Sequence, residues 1–271
     1  MKKILRIFPR RTALTPTDPM SFVGEPSMFR PDADEVHISC TFTWDIPKAE
    51  RLQKAWAQYY PIVKIGGPAF DDPGNDFTPG MYLKQGVTMT SRGCNNNCSF
   101  CLVPKREGKI RLLPILEGRI LQDNNILQCP DTHIDNVFDM LSHQYQVELT
   151  GGLEAARITE PIANQIRSLR LKQLFLACDT DAGIKPLRNA IKLLQIPRDK
   201  VRCYVLIGAD YSKDIDRLMQ VWEAGALPFA QLYQPPDKFI EYSKQWRDLA
   251  RNWSRPAIMK SINKITSFVK K

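Results

Sequence analysis

Three cysteines, Cys94, Cys98 and Cys101, fall within the stretch TSRGCNNNCSFCLV. Thiolates are soft ligands that select zinc, copper or iron–sulfur clusters. The spacing is Cys-x3-Cys-x2-Cys, whereas closed zinc sites use Cys-x2-Cys pairs and four protein ligands. No fourth Cys or His lies nearby. Cys40, Cys129, Cys178 and Cys203 stand singly, and His133 and His143 belong to a later unit. A short loop that wraps three irons of a cubane leaves the fourth iron open to a chelating cofactor. The competing reading is a reactive or zinc-binding loop.

The elements that must position this loop are legible as a strand–helix rhythm from Val87 onward. Candidate strands are VTMTS (Val87 to Ser91), RILQ (Arg119 to Gln122), QVELT (Gln146 to Thr150), QLFLA (Gln173 to Ala177), RCYVLIG (Arg202 to Gly208) and FAQLY (Phe229 to Tyr233). They recur roughly every 28 residues, the length of one strand-plus-helix unit. Ile158, Ile162, Ile166 and Leu169 form one apolar helix stripe. Ile215, Leu218, Met219 and Trp222 form another, with Ser212 as the expected N-cap. Both stripes are packing surfaces. Six parallel strands with covering helices imply an α/β fold with a curled or partly closed sheet.

Before Val87 the pattern is a small α/β extension. KKILRIF, VHISC (Val36 to Cys40) and IVKIGGP (Ile62 to Pro68) read as strands, residues 21–34 as loop, and Pro47 to Tyr60 as a helix with Pro47 in its first turn. Asp71 to Gly80, rich in Pro, Gly and Asp, reads as a linker. The expected organisation is therefore residues 1–86 as N-terminal extension, 87–234 as core and 235–271 as a basic helical tail. From Arg247 onward that tail holds seven Lys or Arg and one acid, Asp248.

The chain has 271 residues, 43% of them hydrophobic, which is enough to bury a full core. The net charge of +9 favours anionic partners, with a solvated basic surface as the competing reading. Seven cysteines, an odd number with three of them clustered, do not suggest a secreted disulfide scaffold, so reduced thiols in the cytoplasm are expected. Arg6 and Pro9 interrupt the basic start, which argues against a signal peptide, and no stretch approaches the ~18 apolar residues of a membrane span.

Cys94, Cys98, Phe100 and Cys101, on the loop after the first core strand, resemble the Cys-x3-Cys-x-aromatic-Cys signature of the radical S-adenosylmethionine (SAM) enzymes. The resemblance covers about Val87 to Tyr233 and is similar to that of uncharacterised phage-borne members. It implies a partial (β/α)6 TIM-like barrel, a [4Fe–4S] cluster on the three cysteines, and SAM chelated at the open iron. It further implies an electron donor such as flavodoxin or ferredoxin, and reductive cleavage of SAM to a 5′-deoxyadenosyl radical. That radical abstracts a substrate hydrogen, or SAM donates a group. The continuation SFCLVPKREGKIR looks like the loop of the methylthiotransferase and cobalamin-dependent branches. Its Lys105, Arg106 and Arg111 are either a guide for an anionic substrate or a solvated face.

On this resemblance, Asp123, Asn124 and Asn125 stand where the family contacts the SAM amino group, with an Asx turn as the alternative. Gly151 and Gly152 would let the backbone approach SAM or substrate, and Glu154 and Arg157 face the site or open a helix. Asp179, Thr180 and Asp181 are candidates for the SAM ribose or carboxylate, or for N-capping. Ile207 and Gly208, with Asp210 less directly, stand where the family places a strand and glycine beneath the adenine. Cys178 and Cys203 read as buried apolar residues. The first 86 residues weakly resemble a degenerate cobalamin-binding domain without its Asp-x-His-x-x-Gly motif. His37 alone does not replace that motif, so no cobalamin is expected. Cys40 stands where methylthiotransferases carry three cysteines, which argues against an auxiliary cluster. The expected substrate is RNA, DNA or a nucleotide, with Trp246 and Trp253 in the basic tail stacking on bases. The alternatives are a peptide or small metabolite, or a non-enzymatic metal-containing nucleic-acid-binding protein.

Overall fold

The computed structural model describes residues 2–72, 76–259 and 261. The linker residues 73–75 and the tail residues 262–271 of the expected organisation lie outside them. The N-terminal part is a four-stranded parallel sheet of β1 (Ile4–Phe8), β2 (Ser21–Val23), β3 (Glu35–Ser39) and β4 (Val63–Gly66), in the order β2-β1-β3-β4. Helix α1 (Ile46–Trp56) joins β3 to β4, and Pro47 sits in its first turn, where its missing N–H leaves no helical bond unmade. Ala49, Leu52 and Trp56 of α1 pack on Leu5, Ile7, Val36 and Ile38 in a core of their own. Residues 21–34 are not all loop. Met20 accepts a bond from Arg6 N–H, and Ser21–Val23 then runs parallel to β1.

The second sheet contains β5 (Val87–Thr88), β8 (Ile120–Leu121), β9 (Val147–Leu153), β10 (Leu171–Ala177), β11 (Val201–Ile207) and β12 (Leu227–Leu232). All six strands are parallel and stand in chain order. Among the described residues no pairing closes β5 onto β12. Between β5 and β8 lie a two-stranded antiparallel ribbon of β6 (Ser91–Arg92) and β7 (Arg111–Leu112) and the short helix α2 (Val103–Glu107).

Helices α3 (Asp131–Ser142), α4 (Glu160–Ser168), α5 (Ile184–Leu194) and α6 (Tyr211–Ala224) follow β8 to β11 in turn, and each contacts the next. A single helix layer follows from a sheet wound in one direction. Leu149, Leu174, Leu176, Cys203, Val205 and Ile207 face that layer and meet Ile166, Leu187 and Leu218. The other face of the sheet carries Phe175 stacked on Tyr204 at 4.7 Å, with Phe229 edge-on at 5.7 Å from Tyr204. Cys178 and Cys203 are buried, as their strand positions imply. Two local expectations are corrected. The N-cap of α6 is Asp210, whose carboxylate accepts from Ser212 and Lys213 N–H, and not Ser212. The Thr-Gly-Gly-Leu segment does not follow its strand but lies within β9.

The described part of the tail packs on the core. Helix α7 (Lys244–Asn252) contacts β12, and Trp253 is buried in the main core. Ala230 donates its N–H to the Trp253 carbonyl at 3.3 Å, and Ser254 Oγ donates to the Ala230 carbonyl at 2.9 Å, which covers an edge strand otherwise open to foreign pairing. Trp246 packs edge-on against Tyr211 at 5.0 Å and Tyr242 at 6.0 Å. Trp253 is therefore covered, while Trp246 is half-buried. Among the described residues no helix is long and apolar enough to cross a membrane.

Candidate metal centre

The loops after β5, β8, β9 and β10 all open at the carboxyl edge of the six-stranded sheet, where parallel sheets place their ligands. The first carries Cys94, Cys98 and Cys101. Its base is closed by the β6–β7 ribbon, and Cys94 N–H donates to the Gly108 carbonyl at 3.1 Å. A turn bonded from Cys101 N–H to the Cys98 carbonyl, 3.0 Å, brings the last two cysteines together. Cys98 is exposed and the other two are half-buried, whereas Cys40, Cys129, Cys178 and Cys203 are buried. Phe100 is half-buried on the same loop.

The loop after β8 grips the cysteine loop from below. Asp123, 3% exposed, accepts from Thr90 N–H at 2.7 Å, Thr90 Oγ1 at 2.7 Å and Ser91 Oγ at 2.6 Å. Burial pushes its carboxyl above the usual range despite those donors. Both of its oxygens are thus held by the chain that leads into the cysteine loop. Asn124 Oδ1 accepts from Gly93 N–H at 3.0 Å, one residue before Cys94. Asn125, 5% exposed, points its amide nitrogen at Cys94 Sγ, 3.7 Å away, and at Glu154 Oε2, 2.8 Å away. Gln128 accepts from Asn95 N–H at 2.7 Å and donates to Asn96 Oδ1 at 2.9 Å and Glu154 Oε2 at 3.0 Å. Residue types alone did not mark Gln128, Asn95 or Asn96 as site residues. The run of three asparagines between Cys94 and Cys98 was the available signal.

Glu154 closes this network from β9. Burial raises its pKa, but donation by Asn125 and Gln128 and the charge of Arg157, 3.0 Å away, outweigh that and hold it below the usual carboxylate range. Gly151 is required for the geometry. A Cβ there would lie 2.9 Å from the Asp123 carbonyl carbon and overlap its oxygen. Gly152 lies beside it, over the Tyr204 ring. Asp179, at the end of β10, accepts from Leu206 N–H at 2.9 Å, and burial raises its carboxyl. Its charge is felt at Cys98 and Cys101, whose thiols are pushed up chiefly by burial.

Other sequence candidates stand elsewhere. Ile207 is a core residue, and Gly208 is covered by Tyr242, whose ring carbon Cζ would lie 2.7 Å from a Cβ at that position. Asp181 pairs with Arg217 at 3.3 Å and Thr180 is exposed. Of the basic trio, Arg106 is half-buried against Glu107 at 3.4 Å and the Pro68 carbonyl at 3.5 Å, while Lys105 is exposed. His37 is bonded to Tyr82 Oη at 2.6 Å and Glu35 at 3.1 Å.

Among the described residues no three His, Cys, Asp or Glu side chains converge as a single metal ion requires. A tetrahedral zinc holds its sulfurs about 3.8 Å apart, from bonds of ~2.3 Å. A cubane gives each thiolate its own iron, so three thiols on one loop suit it without converging on a point. Asn125 Oδ1 supplies a second sign of a ligand, for it is buried and has no donor in the protein. The three-thiol donor set fits a cluster, and the orphaned acceptor leaves room for a hydrogen-bond donor beside Cys94.

No family model matches the sequence. Over 74 residues, 24% of this chain, the sequence is 35% identical to the ribosomal protein uS12 methylthiotransferase RimO of Beijerinckia indica. The matched stretch is 16% of that protein, so the chain spans only a small part of this relative's length. The likeness is thus partial and distant, and it points toward the radical SAM enzymes.

Proposed function

We propose that the chain is a radical SAM enzyme with one [4Fe–4S] cluster on Cys94, Cys98 and Cys101. In this reading residues 87–234 are a partial (β/α)6 barrel, with 1–86 as an extension and 235–271 as a tail. The observation that carries it is the three-thiol loop set against a buried amide, Asn125, whose oxygen lacks a donor. When bound, the reduced cluster supplies one electron to the SAM sulfonium and so provides a hydrogen-abstracting radical.

The chain's own residues bind and orient. Asn125 Oδ1 offers an acceptor to the SAM ammonium, and Glu154, kept ionised, adds a negative charge behind it. Asp123 takes no part in that contact, because it holds Thr90 and Ser91 and so fixes the approach to Cys94. Asn124 does the same at Gly93. Gly151 lets β9 approach the β8 loop, and the charge of Asp179 reaches Cys98 and Cys101. Ile207 and Gly208 serve packing in this reading. A small electron carrier such as flavodoxin or ferredoxin would reach the cluster through the exposed Cys98 side.

The +9 charge supports a nucleic acid or nucleotide as substrate. The stretch shared with an enzyme named for a ribosomal protein supports a protein substrate as the second reading. Substrate binding that weakens steeply with salt would favour the first. The chemistry is tested by anaerobic reconstitution with iron and sulfide, reduction, addition of SAM and quantification of 5′-deoxyadenosine, with Cys98→Ala as control. Product from the wild type alone is expected. Zinc in place of iron and acid-labile sulfide would overturn the reading.

A further inference from the structure

We propose that Asn125 is a positioning residue that donates an amide N–H to the Cys94 sulfur and thereby raises the reduction potential of the cluster, an inference that rests on the cluster reading above. An amide can be turned either way, so its orientation needs a cause. Glu154 provides one. Its Oε2 lies 2.8 Å from the Asn125 nitrogen and is held in place by Gln128 and Arg157, each 3.0 Å away. Because Glu154 is ionised, it accepts only, and the turned amide would set oxygen against oxygen. The amide nitrogen therefore faces Glu154 with one hydrogen, and its second hydrogen is directed at Cys94 Sγ, 3.7 Å away.

The backbone fixes this aim. Asn125 immediately precedes a single 3-10 turn, Ile126–Gln128, and its carbonyl accepts from Gln128 N–H at 3.1 Å. The residue is 5% exposed, so its amide is largely shielded from water. Hydrogen bonds to cluster sulfurs are one of the levers that set its potential. Reduction adds negative charge to the cluster and its thiolates. A fixed donor stabilises that state more than the oxidised one.

The test is a redox titration of the anaerobically reconstituted full chain, followed by electron paramagnetic resonance, with iron and sulfide counted for each variant. Asn125→Ala should load its cluster and titrate at a more negative potential. The expected size is about tenfold in the oxidised-to-reduced ratio at fixed potential, ~59 mV for one electron. Asn125→Asp, of the same shape but without the donor, should move in the same direction. An unchanged or more positive potential in a loaded Asn125→Ala protein would overturn the proposal. So would loss of the cluster from both Asn125 variants with unchanged circular dichroism, since Asn125 would then be a holder of the loop and not a tuner. Failure of the cluster reading itself shows differently, as a wild type with no reducible iron–sulfur signal.

Discussion

Removal of the Asp123 carboxylate separates a structural clasp from a ligand contact. Asp123→Ala deletes the acceptor of three hydrogen bonds at a site 3% exposed. The Thr90 N–H cannot turn elsewhere, and a buried orphaned donor costs roughly 1–3 kcal/mol. The two hydroxyls rotate and lose less, about 0.5–1.5 kcal/mol each. The expected destabilisation is therefore about 3 kcal/mol, and the cysteine loop should loosen with it. Asp123→Asn keeps an oxygen for Thr90 N–H and sets its amide against two hydroxyls that can accept. It also removes a buried charge, so it should stay within about 1 kcal/mol of wild type at neutral pH. The pH dependence has a definite sign. The folded carboxyl has a raised pKa, so the folded state holds the proton more tightly than the unfolded state. Stability from this group falls as pH rises from about 3.9, the ordinary value, through the raised one, and Asp123→Asn should abolish that fall. Urea unfolding followed by circular dichroism between pH 4 and 8 measures both effects. Equal damage from Ala and Asn, or a loss below about 1 kcal/mol for Ala, would refute the clasp.

Three further perturbations test other parts of the account. Gly151→Ala must displace the Asp123 backbone, and a loss of about 3 kcal/mol, read as a lower Tm, is expected; a tolerated alanine would mean that β9 is not held against the β8 loop. Alkylation of the iron-free chain at pH 8 should label exposed Cys98 first and spare Cys40 and Cys178, whose thiols burial pushes up to about 11 and about 12; mass spectrometry that found Cys178 labelled as fast as Cys98 would contradict the buried strand end. Glu35 is bonded to Lys2, Lys64 and His37, which hold its carboxyl down at about 2. Its contribution is present above the ordinary carboxylate pKa of about 4.3 and is lost as pH falls toward that folded value. Glu35→Gln should therefore be clearly less stable than wild type at pH 7 and should match it near pH 2 in acid unfolding curves.

The longer core strands were legible because apolar residues recur on the helix-facing side, as in Val201–Ile207 and Leu171–Ala177, whereas the first two are only Val87–Thr88 and Ile120–Leu121. Helix stripes were legible for the same reason, since Ile166 and Leu218 must enter one core. What local pattern could not reveal depends on partners distant in the chain. Ser21–Val23 is a strand only because β1 offers it an edge. Asp123 looked like a free carboxylate because Thr90 and Ser91, more than thirty positions earlier, carry no mark of their reach. Trp253 looked like a tool for bases because its surroundings in sequence are basic, yet β12 needed a cover. Gly151 and Gly152 were expected to let the backbone approach SAM or substrate; Gly151 lies against the Asp123 backbone carbonyl and Gly152 beside the Tyr204 ring.

The candidate site is consequently less a property of the cysteine loop than of the first three strands of the sheet. All three thiols come from one loop, which the β6–β7 ribbon and its own turns hold together. Further polar contacts come from the segments after β8 and β9: Asp123 to Thr90 and Ser91, Asn124 to Gly93, Gln128 to Asn95 and Asn96, and Asn125 to Cys94. Glu154 can reach Asn125 and Gln128 only because β9 runs through two glycines against the β8 loop. The same glycine that brings Glu154 in also crowds the Asp123 carbonyl. Position and charge at Cys94 are thereby set by one backbone contact, so a change in the pairing of β8 with β9 would alter both the placement of the thiol and the field around it.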